Sequence, residues 1–104
     1  MIFIETQVFT EDLPHHLDEE EYREFQCYLA SDPETGDVIQ GTGGLRKIRW
    51  SARGKGKRGG VRIIYYYVCK RGQIRLLLIY RKGIKDDLDA RERRILCDLN
   101  KRWT

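Results

Sequence analysis

With 104 residues, 40% of them hydrophobic, and two Trp, six Tyr and three Phe, the chain is too apolar for a disordered segment and too short for two cores. No apolar run approaches the roughly 20 residues that span a bilayer, and Met1-Ile2-Phe3-Ile4-Glu5 lacks the basic start and long apolar stretch of a signal peptide. The formal charge of +4 hides a sharp sorting: residues 1–40 hold 11 acids and one base, residues 41–85 hold 14 of the 20 Lys and Arg with no acid, and residues 86–104 hold five of each sign. A positive field that concentrated attracts a polyanion and neutralises phosphates by releasing their counterions, which favours RNA or DNA as partner over a merely solvated basic face. Cys27, Cys69 and Cys97 are odd in number and widely spaced, as reduced thiols are. The expectation is one soluble, cytoplasmic domain spanning residues 1–104.

In chain order, Ile2 to Thr6 is short and β-compatible, and Phe9 to His16 reads as a brief helix limited by Pro14. Asp18 and Glu21 have capping-box spacing, Leu17 and Tyr22 sit at staple positions, and Tyr22, Phe25 and Leu29 then line one helical face until Asp32-Pro33. Thr35-Gly36-Asp37 reads as a turn and Gly41 to Gly44 as a flexible approach. Three strands follow. Leu45 to Trp50 alternates, with Leu45, Lys47 and Arg49 on one face and Arg46, Ile48 and Trp50 on the other. Val61 to Val68 and Gln73 to Tyr80 are β-branched or aromatic runs joined at Lys70-Arg71-Gly72. Residues 86–103 repeat Leu88, Ile95, Leu96, Leu99 and Trp103 at helical spacing, with Asp86 or Asp87 as cap. The class is α+β, in the order β-α-α-β-β-β-α: a small, mainly antiparallel sheet packed by helices.

Ser51 to Gly60 reads SARGKGKRGG, four glycines and four basic residues in ten. Glycine lets backbone approach a phosphate closely, and Arg53, Lys55, Lys57 and Arg58 supply cations; a solvated hairpin loop is the plain alternative. Arg46, Lys47, Arg49 and Arg62 extend the patch into the strands. Arg62 stands out, because a charge in an otherwise apolar strand is costly when buried alone. Either an acid such as Asp37 or Glu5 pairs with it, or it opens onto a groove, where Arg grips a phosphate bidentately. Gly54-x-Gly56-x-x-Gly59 is followed by a strand rather than a helix, so it is no dinucleotide fingerprint, and no Walker Gly-Lys-Ser/Thr exists. The adjacent His15 and His16 lack ligand-spaced partners, and no Gly-x-Ser-x-Gly elbow is present. Metal chemistry, cofactors and histidine-pair ribonucleases are therefore not expected. RNA cleavage would fall to Lys, Arg and Tyr: a crowded Lys55 or Lys57 as base, and Arg62 stabilising the phosphorane formed by 2′-hydroxyl attack.

The block Gly36-Asp37-Val38-Ile39-Gln40-Gly41-Thr42-Gly43-Gly44-Leu45-Arg46-Lys47-Ile48-Arg49, then Gly54 to Gly60, then Arg62-Ile63-Ile64-Tyr65-Tyr66, resembles the RelE/HigB family of type II toxins, in particular its HigB-like branch within the RelE/ParE superfamily. Leu77 to Tyr80, Lys82 and Asp87-Leu88 extend the likeness over nearly the whole chain. The resemblance implies the RelE-like fold and a metal-independent messenger-RNA endoribonuclease acting in the ribosomal A site and neutralised by a cognate antitoxin. By position it implies Arg62, Lys55, Lys57 and Lys82 as catalytic residues, with Tyr80 as a substitute stacking or acid/base group. Arg46, Lys47, Arg49, Arg53 and Arg58 would hold RNA. Better-known members carry an Arg after the last strand and a Tyr in the final helix; here Gly83 stands near the first position and residues 86–103 contain no Tyr. That departure leaves open a non-catalytic ribosome- or nucleic-acid-binding module, and the superfamily also contains gyrase-directed ParE-type toxins.

Overall fold

The computed structural model describes residues 1–51, 60–81 and 87–103. In chain order these form β1 (Ile2–Glu5), α1 (Gln7–Asp12), a single 3-10 turn at Leu13–His15, α2 (Glu19–Ser31), β2 (Asp37–Val38), β3 (Arg46–Trp50), β4 (Val61–Val68), a second 3-10 turn at Cys69–Arg71, β5 (Gln73–Arg81) and α3 (Ala90–Lys101). The class is α+β as expected, with one more strand than the sequence pattern signals. The sheet is five-stranded in the order β1-β5-β4-β3-β2; β1 runs parallel to β5 and every other pair is antiparallel. Among the described residues no helix is long and apolar enough to cross a membrane.

The extra strand is β2, two residues paired with Lys47 and Arg46. The turn expected at Thr35-Gly36-Asp37 overlaps it only at Asp37, and two exposed residues carry no alternation that would mark a strand. A tyrosine fixes this region. The Tyr65 hydroxyl donates to Pro33 O at 2.8 Å and accepts from Gly36 N at 2.9 Å. A Cβ at position 36 would meet the Tyr65 ring and hydroxyl at 2.8 and 2.9 Å, so only glycine lets the two approach this closely. The stretch after β2, expected to be a flexible approach, is an ordered turn around buried Thr42. That hydroxyl donates to Ile39 O at 2.6 Å and accepts from Leu45 N at 3.2 Å.

The two sheet faces bury different clusters. Phe9 of α1 and Phe25 and Leu29 of α2 pack on Ile48, Val61, Ile63, Tyr65, Ile74, Leu76 and Ile79. The opposite face carries Leu45, Ile64, Leu77 and Tyr80 under Leu88 and Leu96. The capping box of Asp18 and Glu21 opens α2 as the spacing implied. For α3 the cap is Asp89, which accepts from Glu92 N at 2.8 Å, not Asp86 or Asp87. The helix is accordingly shorter than its apolar repeat, and Ile95 and Leu99 stay 54% and 41% exposed.

One irregularity decides which side chains share a face. Tyr65 pairs with Leu76 but Ile64 pairs with Leu78, so Leu77 is an extra residue, a β-bulge in β5. Side chains alternate along a strand, and one inserted residue inverts that alternation beyond it. Arg75, opposite Tyr66, and Tyr80, opposite Arg62, therefore lie on the same face despite their odd spacing. The bulge is tied to the N-terminal segment: Thr6 Oγ1 donates to Leu77 O at 2.9 Å while accepting from Phe9 N at 3.1 Å as the cap of α1. Thr6→Val keeps the shape and removes both bonds. The expected loss is about 1–2 kcal/mol in urea unfolding; an unchanged midpoint would show that neither bond matters.

Candidate nucleic-acid interface

Strand pairing builds the candidate site. Arg49 of β3, Arg62 of β4 and Tyr80 of β5 lie directly opposite one another, forming one row across the centre of the sheet on the α3 side. The next row places Lys47 beside Ile64, with Asp37 of β2 opposite Lys47. A basic, partly aromatic stripe thus emerges from the regular alternation of β3 and β4 and from the bulge that brings Tyr80 of β5 to the same face.

Arg62 is 6% exposed. Neither acid considered as its partner meets it. Glu5 accepts from the Tyr22 and Thr10 hydroxyls, both at 2.6 Å, and Asp37 is exposed at the sheet edge. Among the described residues no carboxylate forms an ion pair with Arg62. A Cβ built on Gly60 would come within 3.6 Å of Arg62 Nη1 and 3.8 Å of Ser51 Oγ. The guanidinium therefore ends where the basic segment joins β4. Tyr80 lies beside it with its hydroxyl buried. Burial raises the phenol's pKa, the Asp87 carboxylate raises it further, and the Arg62 charge opposes the shift, so Tyr80 stays protonated at neutral pH.

Lys47 is engaged: its ammonium lies 3.4 Å from Asp87 Oδ1. The Leu88 backbone N–H donates to the same oxygen at 2.9 Å. That bond, reinforced by the Lys47 charge, holds the Asp87 carboxyl below its ordinary value. Arg93 donates to Leu88 O at 3.1 Å and lines the same wall. Together with Asp37, Gln40 and Arg49 these residues surround an open cleft of about 630 Å³ between the sheet edge and the start of α3.

The sheet does not bring Arg46 to this stripe. It points to the opposite face, donates to Glu34 O at 3.0 Å and Gly36 O at 2.8 Å, and pairs with the Glu34 carboxylate at 3.7 Å. That makes it a brace for the α2–β2 turn. Arg53, Lys55, Lys57, Arg58 and Lys82 lie outside the described residues. Among the described residues no three His, Cys, Asp or Glu come together as metal ligands. The sequence reading missed Asp37, Asp87 and Arg93 as cleft residues and Arg75 as an anchor. Arg75 is the second arginine in an apolar strand, but it is satisfied: it donates to Asn100 O at 3.2 Å and Asn100 Oδ1 at 3.0 Å, and lies 5.1 Å from the Trp103 ring centre. The same sequence signal marks a structural arginine at position 75 and, among the described residues, an unpaired one at position 62.

The mixed α+β architecture, a five-stranded sheet with helices on its faces, is the RelE fold. The chain is similar to the E. coli toxin RelE, solved as a double mutant in the free state, with a TM-score of 0.58 and 10% identity over 82% of this chain and 86% of that one. It is similar also to the same mutant toxin in complex with a peptide of the antitoxin RelBc, with a TM-score of 0.56 and 12% identity over 84% and 97% of the two chains. No protein-family model matches the sequence.

The depressed Asp87 pKa has a sign that can be tested. A carboxyl lowered in the folded state contributes stability above its unfolded value and loses it as pH falls through the folded one. Asp87 should titrate below the ordinary 3.8 by NMR, and Lys47→Gln should move its midpoint upward. A midpoint at or above 3.8 would mean that the Leu88 bond and the Lys47 charge do not outweigh the desolvation that opposes them.

Proposed function

We propose that this protein is the toxin of a type II toxin–antitoxin pair and a ribosome-dependent endoribonuclease that cuts messenger RNA in the A site. The observation that carries the reading is Arg62, a buried guanidinium with no carboxylate partner among the described residues, set between Arg49 and Tyr80. Keeping such a cation desolvated is costly unless an anion completes it. A scissile phosphate is that anion. The RelE fold, and a RelE neighbour solved with an antitoxin peptide, support the toxin assignment and an antitoxin partner.

In this reading the substrate 2′-oxygen attacks the adjacent phosphorus as its proton passes to a base, Lys55 or Lys57. The P–O5′ bond breaks, leaving a 2′,3′-cyclic phosphate, and a proton is returned to the departing 5′-oxygen. Arg62 balances the charge gathering on the phosphorane oxygens, a role in which one positioned donor is worth about 100- to 1,000-fold in rate. Arg49 holds the neighbouring phosphate. Tyr80, the cross-strand neighbour of Arg62, orients the RNA together with Lys82. Lys82, Arg53 and Arg58 extend the phosphate contacts, and no metal ion is needed because the nucleophile belongs to the RNA.

Primer extension on a defined messenger, with and without programmed ribosomes, tests the reading. Wild type should produce cuts only with ribosomes, and Arg62→Ala should reduce them about 100-fold or more with its melting transition retained. Undiminished cutting by folded Arg62→Ala would remove Arg62 from the mechanism. No cutting by wild type under any condition would favour a binding module, and gyrase poisoning with intact transcripts a DNA-directed toxin.

A further inference from the structure

The cleft next to the Arg49–Arg62–Tyr80 row is not a plain phosphate channel. Lys47, Arg49 and Arg93 line it, but so do Asp37 and Asp87. Carboxylates repel phosphate and only accept hydrogen bonds, so their natural ligands are N–H groups. Asp87 is held by two contacts, from Leu88 N at 2.9 Å and Lys47 Nζ at 3.4 Å, and both fall on Oδ1. Its Oδ2 has no such partner among the described residues, and the side chain is 62% exposed. Asp37 projects from the strand edge opposite Lys47. Arg93 is fixed by its bond to Leu88 O. The result is two acceptors, one of them held by Lys47 and Leu88, beside the fixed Arg93, in a volume of about 630 Å³ that suits a ligand of nucleotide size.

Among RNA bases, the feature that such acceptors distinguish is an exocyclic amino group. Cytosine and uracil have the same ring size and differ at C4, where cytosine presents N–H donors and uracil a carbonyl. A carboxylate bonds the first and is left facing an acceptor by the second. Unstacked bases in single-stranded RNA expose this edge for reading.

We propose that this cleft is a base-reading subsite, in which Asp37 and Asp87 accept hydrogen bonds from the exocyclic amino group of a nucleotide while Lys47 and Arg93 bracket its sugar-phosphate. Its place beside the cut rests on the endoribonuclease reading, since Arg49 is the direct cross-strand neighbour of Arg62; the base preference itself does not. Asp37 and Asp87 are then specificity-determining residues, which select the nucleotide flanking the scissile phosphate without taking part in its chemistry.

Titration of the wild-type protein with cytidine and uridine 5′-monophosphate, followed by backbone amide shifts, tests this without requiring cleavage. Cytidine monophosphate should bind on the order of tenfold more tightly and move the amides of residues 37–41, 47–49 and 87–93. The Asp37→Asn, Asp87→Asn double variant should equalise the two ligands, and an unchanged amide spectrum elsewhere would show that it remains folded. Arg62→Ala should keep the preference. Equal affinities in wild type, binding of neither nucleotide, or a preference that survives in the double variant overturns the proposal. A cytidine preference in a protein that cuts no RNA would leave the subsite standing and remove the nuclease reading. Ribosome-dependent cutting by a protein that treats the two nucleotides alike would do the reverse.

Discussion

A single inserted residue, Leu77, sets the chemistry available on the sheet. If β5 paired regularly through Leu77, with no bulge, alternation from the β4–β5 turn would send Tyr80 to the α1–α2 side and put Ile79 beside Arg62. With it, Tyr80 reaches Arg62, while Arg75 remains on the same face to receive α3. Bulges leave an unpaired residue and sharpen twist, so this one needs support from outside the hairpin. Thr6 provides it from the other end of the sequence by donating to Leu77 O. Helix capping, strand register and the placement of the basic row thus meet at one hydroxyl.

The second dependence is on α3. Its apolar hold on the sheet is slight, with Leu96 the buried hydrophobic residue of the helix and Leu88 just ahead of it. Arg75 supplements that contact at the far end. It donates to the Asn100 carbonyl and side chain, near the C-terminus of the helix, where positive charge also suits the macrodipole. Asp87 and Arg93 form one wall of the cleft only because α3 is held there. The two strand arginines differ: Arg75 is spent on architecture, while Arg62 meets no carboxylate among the described residues.

Much of this was legible in the sequence. The β3, β4 and β5 spans follow from β-branched and aromatic runs, and α2 from its capping box and the Tyr22, Phe25, Leu29 stripe. The alternation of β3 separated Lys47 and Arg49 from Arg46 correctly. What it could not say was that Arg46 would find three backbone and carboxylate oxygens on its side, because the α2–β2 turn has no pattern that fixes its position. β2 was invisible for a similar reason: two exposed residues pair through backbone alone. The start of α3 was misplaced because Asp86, Asp87 and Asp89 are all competent caps, and only Asp89 has a glutamate three residues on whose side chain closes the box. The cleft carboxylates leave no trace in the segmental charge pattern, because Asp37 and Asp87 belong to different segments and come together only in the folded cleft.

The parallel pairing of β1 with β5 governs the order in which the molecule can be assembled. Thr6 and Leu77 are 71 residues apart, and contacts of that separation form only after the intervening chain has been gathered in. A growing polypeptide can close the β3–β4–β5 meander step by step, but its first strand must wait for its last. The bond that supports the bulge, and with it the alignment of Tyr80 on Arg62, is therefore among the late events of folding. A chain still being synthesised thus carries its cations without the row that organises them.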